Sequence, residues 1–174
     1  MNLYHFSEDV DVTRFEPTPP PGRPDGEPLV WAVAEDRAPL YWFPRDCPRI
    51  AFWALPTTTP QDQATFLGQT AAKQVLTIEG AWLDRVRDAR MYAYRLAPDS
   101  FRMVGMDGYF VSKVAVTPLD VEPVGDVLKR LRDAGVELRI TPSLWPLHDA
   151  LLESTLHFSM LRMKNAGGRA EEAK

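Results

Sequence analysis

The sequence is short of the residues from which common catalytic and metal sites are built. It has one cysteine and three histidines among 174 residues. A single cysteine excludes an intramolecular disulfide and is consistent with a reducing compartment. Cys47 has no histidine close to it in the sequence, and His5, His148 and His157 are spread along the chain. These counts give a zinc site poor support, so we expect no metal cofactor.

The chain also lacks a long apolar run and an excess of positive charge. No apolar run approaches the roughly 20 residues that span a bilayer, and the N-terminus has no basic segment followed by an apolar one. Twenty Lys and Arg residues are outnumbered by 24 Asp and Glu residues, which gives a net charge of −4. Nucleic-acid binders need a clustered cationic face, so the composition gives no strong nucleic-acid signal. We expect a cytoplasmic protein without a membrane partner, and the sequence leaves its oligomeric state open.

Glycine is less frequent than proline, with ten residues against sixteen. There is no glycine-rich turn between a strand and a helix of the dinucleotide-binding or P-loop kind. Clustered prolines exclude a helix or an internal strand over residues 15–28, and Pro24-Asp25-Gly26 predicts a turn. The length and the 45% hydrophobic content are typical of one globular domain. We therefore predict a single domain over residues 1–165 and a flexible C-terminal tail over 166–174.

The spacing of apolar residues predicts strands intermixed with short helices. Strands are predicted over 3–7, 29–33, 50–55, 75–78, 91–96, 109–116 and 136–140. Helices are predicted over 35–43, from 59–60 onward, over 82–89, 124–131 and 143–162. Because most strands are joined by short turns or irregular loops, we predict an α+β fold with one mixed, mainly antiparallel sheet and flanking helices.

The predicted last helix carries two of the three histidines. His148 and His157 are nine residues apart, which would place them on opposite sides of a helix and prevent them from binding one metal together. Glu153 and His157 are one helical turn apart and are predicted to form a surface pair.

The densest aromatic segment, residues 31–53, holds three of the five tryptophans. Consecutive helical positions diverge by about 100°, so Tyr41, Trp42 and Phe43 cannot all face one core. They either belong to the core and its rim or provide a stacking platform for a heteroaromatic ligand.

A rigid Pro-Arg-Asp-Cys-Pro-Arg segment follows the aromatic trio. Arg45 and Arg49 could hold a carboxylate or a ligand phosphate. Arginine can lower the pKa of a thiol, so Cys47 is either a nucleophile or a buried structural residue.

Strand alternation places His5 and Ser7 on one face of the first strand. His5 is either satisfied by a backbone carbonyl or contacts a ligand hydroxyl with Ser7 beside it. Asp107 precedes Gly108 at the start of a strand, where it is either a turn residue or a group that orients a substrate hydroxyl.

Three segments resemble, in order and spacing, the core motifs of ADP-ribosyltransferase-like domains. They are Leu3-Tyr4-His5-Phe6-Ser7, the stretch from Val30-Trp31-Ala32-Val33 to Ala38-Pro39-Leu40-Tyr41, and Tyr109-Phe110-Val111-Ser112 with Val116-Thr117-Pro118. The motifs are a histidine on the first strand, an aromatic strand followed by a small helix, and a late strand often opened by a glutamate. The chain is also similar to a small uncharacterised bacterial family through its Phe-Pro-Arg-Asp-Cys-Pro-Arg and Thr-Pro-Ser-Leu-Trp-Pro-Leu segments.

The resemblance implies a protein that binds NAD or a related nucleotide. In that superfamily the histidine hydrogen-bonds the ribose of NAD, an aromatic side chain stacks on nicotinamide, and the glutamate stabilises an oxocarbenium-like transition state. Carried over, the cofactor-binding residues are His5, Ser7, Tyr41, Trp42 and Arg45, and the catalytic residues are His5 and Asp107.

The position of the glutamate departs from the family pattern. Asp107 stands there, and aspartate is about one methylene shorter than glutamate, a difference that matters where catalysis depends on position. The resemblance therefore implies nucleotide binding more strongly than transfer. The alternative is a non-catalytic binding or interaction protein of unknown ligand, whose aromatic residues are core and whose Trp82 or Trp145 contacts a partner.

Overall fold

Two separate β-sheets organise the chain, one in each of two compact units. A computed structural model describes residues 1–20, 23–105 and 108–169. The first unit combines Met1–Arg45 with Arg90–Gly125, and the second combines Asp46–Ala89 with Asp126–Lys174. Each unit is therefore assembled from two stretches that are distant in the sequence.

Ten strands are numbered in chain order. They are β1 Leu3–Ser7, β2 Val30–Ala34, β3 Arg49–Trp53, β4 Gln74–Glu79, β5 Tyr92–Leu96, β6 Arg102–Met103, β7 Tyr109–Ser112, β8 Asp120–Pro123, β9 Val136–Thr141 and β10 His157–Leu161. The α-helices are α1 Pro60–Asp62, α2 Leu83–Asp88, α3 Val127–Asp133 and α4 Trp145–Leu152. A π-helical turn covers Gln63–Leu67, and 3-10 turns cover Glu35–Tyr41, Gly80–Trp82, Pro98–Ser100 and Met163–Asn165.

The first unit is a six-stranded antiparallel sheet in the order β6-β7-β2-β1-β5-β8. In the register of β1 with β5, Leu3 lies opposite Leu96 and His5 lies opposite Tyr94. Because side chains alternate along a strand, these four residues share one face. The core of the unit lies on this face and includes Leu3, Tyr94 and Leu96, with the partly buried Phe15 packed against it.

The second unit is a four-stranded sheet in the order β10-β3-β4-β9, in which only β4 and β9 run parallel. One face of this sheet supplies Ile50, Phe52 and Val75 to a core that also holds Leu144 and Leu151 of the α4 region. The apolar side chains of β3 and β4 thus pack against leucines at the start and end of α4.

The predicted α+β class with mainly antiparallel pairing is confirmed. The seven predicted strands all form, within a few residues of the predicted bounds, whereas β6, β8 and β10 were not predicted. Two sheets form where one was expected, because apolar spacing indicates which face of a strand is buried and not which strands pair. The single domain over 1–165 stays a prediction.

The predicted last helix over 143–162 is wrong in its second half. Helix α4 ends at Leu152, and residues 157–161 form β10, paired with β3. Side-chain hydrogen bonds end the helix, because Ser154 Oγ donates to the Leu151 carbonyl at 2.9 Å and the Asp62 carboxylate accepts from Thr155 N–H at 2.8 Å. Backbone and side-chain partners of this kind compete with continued helix formation.

The predicted surface pair of Glu153 and His157 is wrong for the same reason. His157 lies on a strand, not one helical turn beyond Glu153. It stands opposite Trp53 in the β10–β3 register, and the two ring centroids are 4.5 Å apart. His148 and His157 therefore belong to different elements.

The proline-rich segment is attached to the first unit at both ends. Phe15 exchanges backbone hydrogen bonds with Val116 at 2.8 and 2.9 Å, and Thr18 exchanges them with Leu29 at 3.2 and 3.0 Å. The predicted turn forms, since Gly26 N–H donates to the Arg23 carbonyl at 2.9 Å. No helix in the described ranges is both long and apolar enough to cross a membrane.

The hydroxyl of Tyr94 holds the segment that follows β1. Tyr94 is fully buried, its hydroxyl donates to the Asp9 carbonyl at 2.7 Å, and it accepts from Val12 N–H at 3.2 Å. One hydroxyl thus satisfies two backbone groups of a loop that has no sheet partner of its own.

We expect Tyr94→Phe to lower the free energy of unfolding by about 1–2 kcal/mol, because two backbone groups lose their partner. Urea denaturation of the wild type and the variant measures this. Tyr92→Phe is the matched control, since the Tyr92 hydroxyl makes no hydrogen bond within the described residues. Equal losses in the two variants would contradict the role of the hydroxyl.

Candidate functional site

The ring of His5 is fixed in one tautomer by the backbone. Its Nδ1 lies 2.8 Å from the Trp31 carbonyl oxygen. A carbonyl can only accept, so Nδ1 carries the proton and Nε2 is left as an acceptor. Burial lowers the pKa of His5, the bond to Trp31 opposes this shift, and the charge of Arg45 adds to it. His5 is thus a neutral imidazole at physiological pH.

The free acceptor of His5 is the part of this residue that a ligand could use. Within residues 1–20, 23–105 and 108–169, Nε2 has no hydrogen-bond partner. The ring packs on Phe15 with the centroids 4.4 Å apart, and Phe15 meets Tyr94 edge-on at 5.2 Å. The predicted contact of His5 with a backbone carbonyl is therefore confirmed at Nδ1, whereas contact of Nε2 with a ligand stays a prediction.

Ser7 lies on the same face of β1 as His5, as the alternation predicts. Its hydroxyl accepts from Asp9 N–H at 3.1 Å, which bends the chain out of the strand. The serine hydroxyl keeps its own proton for a second bond, because a hydroxyl both donates and accepts.

Tyr41 lies on the other face of β1. Its ring stacks on Phe6 with centroids 6.4 Å apart and planes 12° apart, and Phe6 alternates with His5 along the strand. Trp42 and Phe43 are buried, with 8% and 1% of their surface exposed. The structure therefore brings His5 and Ser7 together on one face of β1 and places Tyr41 on the other.

Arg45 is at the carboxyl end of β1. Its backbone N–H donates to Glu8 Oε2 at 3.3 Å, and the residue is exposed. Its charge contributes to the lowered pKa of His5, so the cation acts on the imidazole. Sequence reasoning missed Glu8 and Phe15 as neighbours of this group.

Asp107 lies outside the described residues, and its predicted role stays a prediction. Its neighbour Gly108 has a φ of 94°, and a Cβ there would come within 2.6 Å of Arg37 Cγ. Gly108 also accepts from Ala34 N–H at 2.9 Å. Only glycine fits this position, so the turn that opens β7 is fixed by conformation and by space.

Cys47 belongs to the second unit and is fully buried. Burial raises its pKa to about 11, which the charge of Arg49 opposes and that of Glu79 reinforces. Arg49 is itself buried and donates from Nη1 to the Cys47 carbonyl at 2.8 Å. The thiol is thus protonated and enclosed, which fits the structural alternative for Cys47 and not the nucleophile.

The two tryptophans considered as partner contacts are each covered by an arginine. Arg85 lies 4.8 Å from the ring centroid of Trp82, and Arg169 lies 4.3 Å from that of Trp145. Trp145 also donates from Nε1 to the Gly167 carbonyl at 2.6 Å, so part of the predicted tail is in contact with the second unit. Residues 170–174 of that tail lie outside the described residues.

No cluster of three or more histidine, cysteine, aspartate or glutamate residues suited to a metal ion occurs within the described ranges. The buried carboxylate of Glu79 is occupied by backbone donors, since Leu144 N–H and Gly167 N–H bind it at 3.1 and 2.9 Å. It acts as a structural anchor for the start of α4 and for the C-terminal segment.

We expect Cys47 to resist alkylation in the folded protein. A pKa of about 11 leaves about one thiol in a thousand ionised at pH 8, compared with about a quarter for an ordinary cysteine. The rate of reaction with a disulfide reagent at pH 8 should be at least about 100-fold lower in buffer than in urea. Fast, stoichiometric modification of the folded chain would contradict the burial and the raised pKa.

The lowered pKa of His5 predicts a pH dependence of stability. Below about pH 6.5 the unfolded chain binds a proton that the folded chain binds only at lower pH, so stability is lost as pH falls through this window. His5→Asn keeps an amide donor for the Trp31 carbonyl and removes the titration. Unfolding in urea at pH 7.5 and 5.5 should therefore show a larger loss for the wild type than for His5→Asn, and equal losses would contradict it.

Comparison with known proteins shows the family to which the chain belongs. The model of a family of unknown function (DUF6886) matches residues 4–166, which extend from β1 past β10. No curated protein and no solved structure matches the chain. The predicted resemblance to an uncharacterised family is confirmed, while the resemblance to ADP-ribosyltransferases and the bacterial origin stay predictions. Because the match takes in most of the 174 residues, the chain belongs to the family of unknown function DUF6886.

Proposed function

We propose that the first unit binds NAD or a related nucleotide, with His5 and Arg45 as its main contacts. The observation that carries this proposal is the fixed, neutral His5, whose Nε2 has no partner within the described residues and which lies in the field of an exposed arginine. The Nε2 atom of such an imidazole can accept a hydrogen bond in one fixed direction, and the ring does not have to lose a proton first.

The chemistry of a nucleotide matches these two groups. A ribose hydroxyl donates to a neutral imidazole nitrogen, and a phosphate binds an arginine through charge-assisted hydrogen bonds. Ser7 lies on the same face as His5 and can donate to a further ligand oxygen. The ADP-ribosyltransferase-like resemblance assigns His5, Ser7 and Arg45 to the same ligand, so geometry and resemblance support one proposal.

The proposal concerns binding and not transfer. The resemblance places the stabilising carboxylate at Asp107, a shorter side chain than the family's glutamate. Tyr41, the predicted stacking partner, packs on Phe6 across the strand from His5. Phe15 is the aromatic ring in contact with His5, and we propose that it, rather than Tyr41, borders the base or nicotinamide of a bound ligand.

A non-catalytic interaction protein is the second candidate. The burial of Trp42 and Phe43 favours it, because these rings belong to a core and not to a stacking platform. The arginines over Trp82 and Trp145 count against those two tryptophans as its contacts. A nucleotide-binding test separates the two candidates directly.

Isothermal titration of NAD into the purified protein tests the proposal. We expect saturable binding by the wild type and a loss of about tenfold in affinity for His5→Asn, which keeps the Trp31 bond but removes the Nε2 acceptor. Arg45→Gln should also weaken binding and make it less sensitive to salt. Arg14→Gln, at an exposed arginine of the same unit, should bind as the wild type does.

The absence of heat at NAD concentrations of about several millimolar would overturn the proposal, as would unchanged binding by both site variants. Release of nicotinamide, followed by chromatography, then distinguishes binding from catalysis. We expect release no faster than in buffer. Faster release that is lost in a folded Asp107→Asn variant would contradict binding alone and establish transfer chemistry.

A further inference from the structure

An open cleft lies at the β6 edge of the sheet in the first unit. Its volume is about 390 Å³, within the range of about 300–1,000 Å³ that is typical of small-molecule sites. Phe101, Val111 and Val114 supply apolar surface, Arg102 and Lys113 supply two cations, and Asp99 supplies one carboxylate. An apolar floor with a few charged groups at its rim is the usual composition of a site that orients a small ligand.

An exposed tryptophan lies on the strand next to one of the residues that line this cleft. In the sheet register Trp31 lies opposite Val111, and Val111 lies opposite Arg102. Directly opposite residues share a face and lie about 5 Å apart, so indole, valine and guanidinium form a row about 10 Å long across three strands. Trp31 keeps 43% of its surface exposed, which is unusual for the most hydrophobic large side chain of a sheet.

A carboxylate of the proline-rich segment already occupies the cationic rim. Glu27 forms an ion pair with Lys113. The hydrogen bond from Lys113 lowers the pKa of Glu27, and the charges of Lys113 and Arg102 act in the same direction. Within the described part of the chain, no acidic side chain forms an ion pair with Arg102. Arg102 is therefore the cation of the rim that can pair with the anionic group of a ligand, and Lys113 can do so once Glu27 is displaced.

We propose that this cleft binds a small ligand that carries a planar ring and an anionic group. The ring lies against Trp31, and the carboxylate or phosphate displaces Glu27 from Lys113 and contacts Arg102. Aromatic side chains prefer to stack with other rings, and guanidinium binds carboxylate and phosphate in the same bidentate manner. Glu27 therefore competes with the anionic group of the ligand for Lys113.

This site is separate from the His5 site. Trp31, Val111 and Lys113 alternate with Val30, Phe110 and Ser112 along their strands, and the latter residues share the face of His5. In the sheet β7 and β2 also stand between β6, at the cleft, and β1, which carries His5. The two sites therefore lie at different places, and either proposal can fail without the other.

Phenyl phosphate and benzoate are the probes, and the five indole N–H resonances of the tryptophans are the readout. We expect one indole resonance, assigned by Trp31→Phe, to shift saturably with at least one probe while the other four stay in place. Glu27→Gln should tighten binding about three- to fivefold, and Lys113→Gln and Arg102→Gln should weaken it by a similar factor, as expected for exposed charge pairs.

The variants are expected to change the affinity in opposite directions, which separates a specific effect from a loss of folding. A partly unfolded protein would not bind the probe more tightly than the wild type does. Lys129→Gln removes a comparable exposed ion pair, with Asp133 in the second unit, and should leave the affinity unchanged. Inorganic phosphate should bind more weakly than phenyl phosphate, since it lacks the ring. Equal binding of the two phosphates, weaker binding by Glu27→Gln, or no saturable shift at about 10 mM of either probe would overturn the proposal.

Discussion

The two-sided pairing of β1 is the constraint on which the first unit depends. β1 is hydrogen-bonded to β2 on one side and to β5 on the other, so its register cannot shift without breaking both ladders. A shift by one residue would exchange its faces. Leu3 would leave the core, and the His5 imidazole would leave the face on which it meets Phe15 and the Trp31 carbonyl. The position of the candidate site is therefore a consequence of backbone pairing rather than of local side-chain contacts.

The part of the fold that the sequence predicts is the part set by local rules. Alternation over 3–7 acts within a few residues, and β1 forms as predicted. Capping of α1 by the Thr59 side chain and the positive φ of Gly135 after α3 are equally local. The helix predicted over 143–162 is wrong beyond Leu152 because β3, more than 100 residues earlier in the chain, pairs with residues 157–161. Local propensity contains no information on that competition, and tertiary pairing overrides it.

The candidate site divides in the same way. That His5 and Ser7 share a face follows from the period of a strand, so the sequence was sufficient for it. The separation of Tyr41 from that face was not accessible, because it depends on which side of β1 the Glu35–Tyr41 turn packs. The pKa of Cys47 likewise depends on burial in a sheet that the sequence does not define, although Arg49 nearby suggested the opposite shift.

Both units are discontinuous in the sequence, and this determines how they can be made and divided. The chain passes from one unit to the other after Arg45, after Ala89 and after Gly125. A continuous fragment that contains one whole unit also carries part of the other, because the first unit needs residues 1–125 and the second needs residues 46–174. During synthesis β1 emerges first, yet its partner β5 follows nearly 90 residues later. The first unit must therefore remain incomplete on the ribosome until much of the second has also been translated.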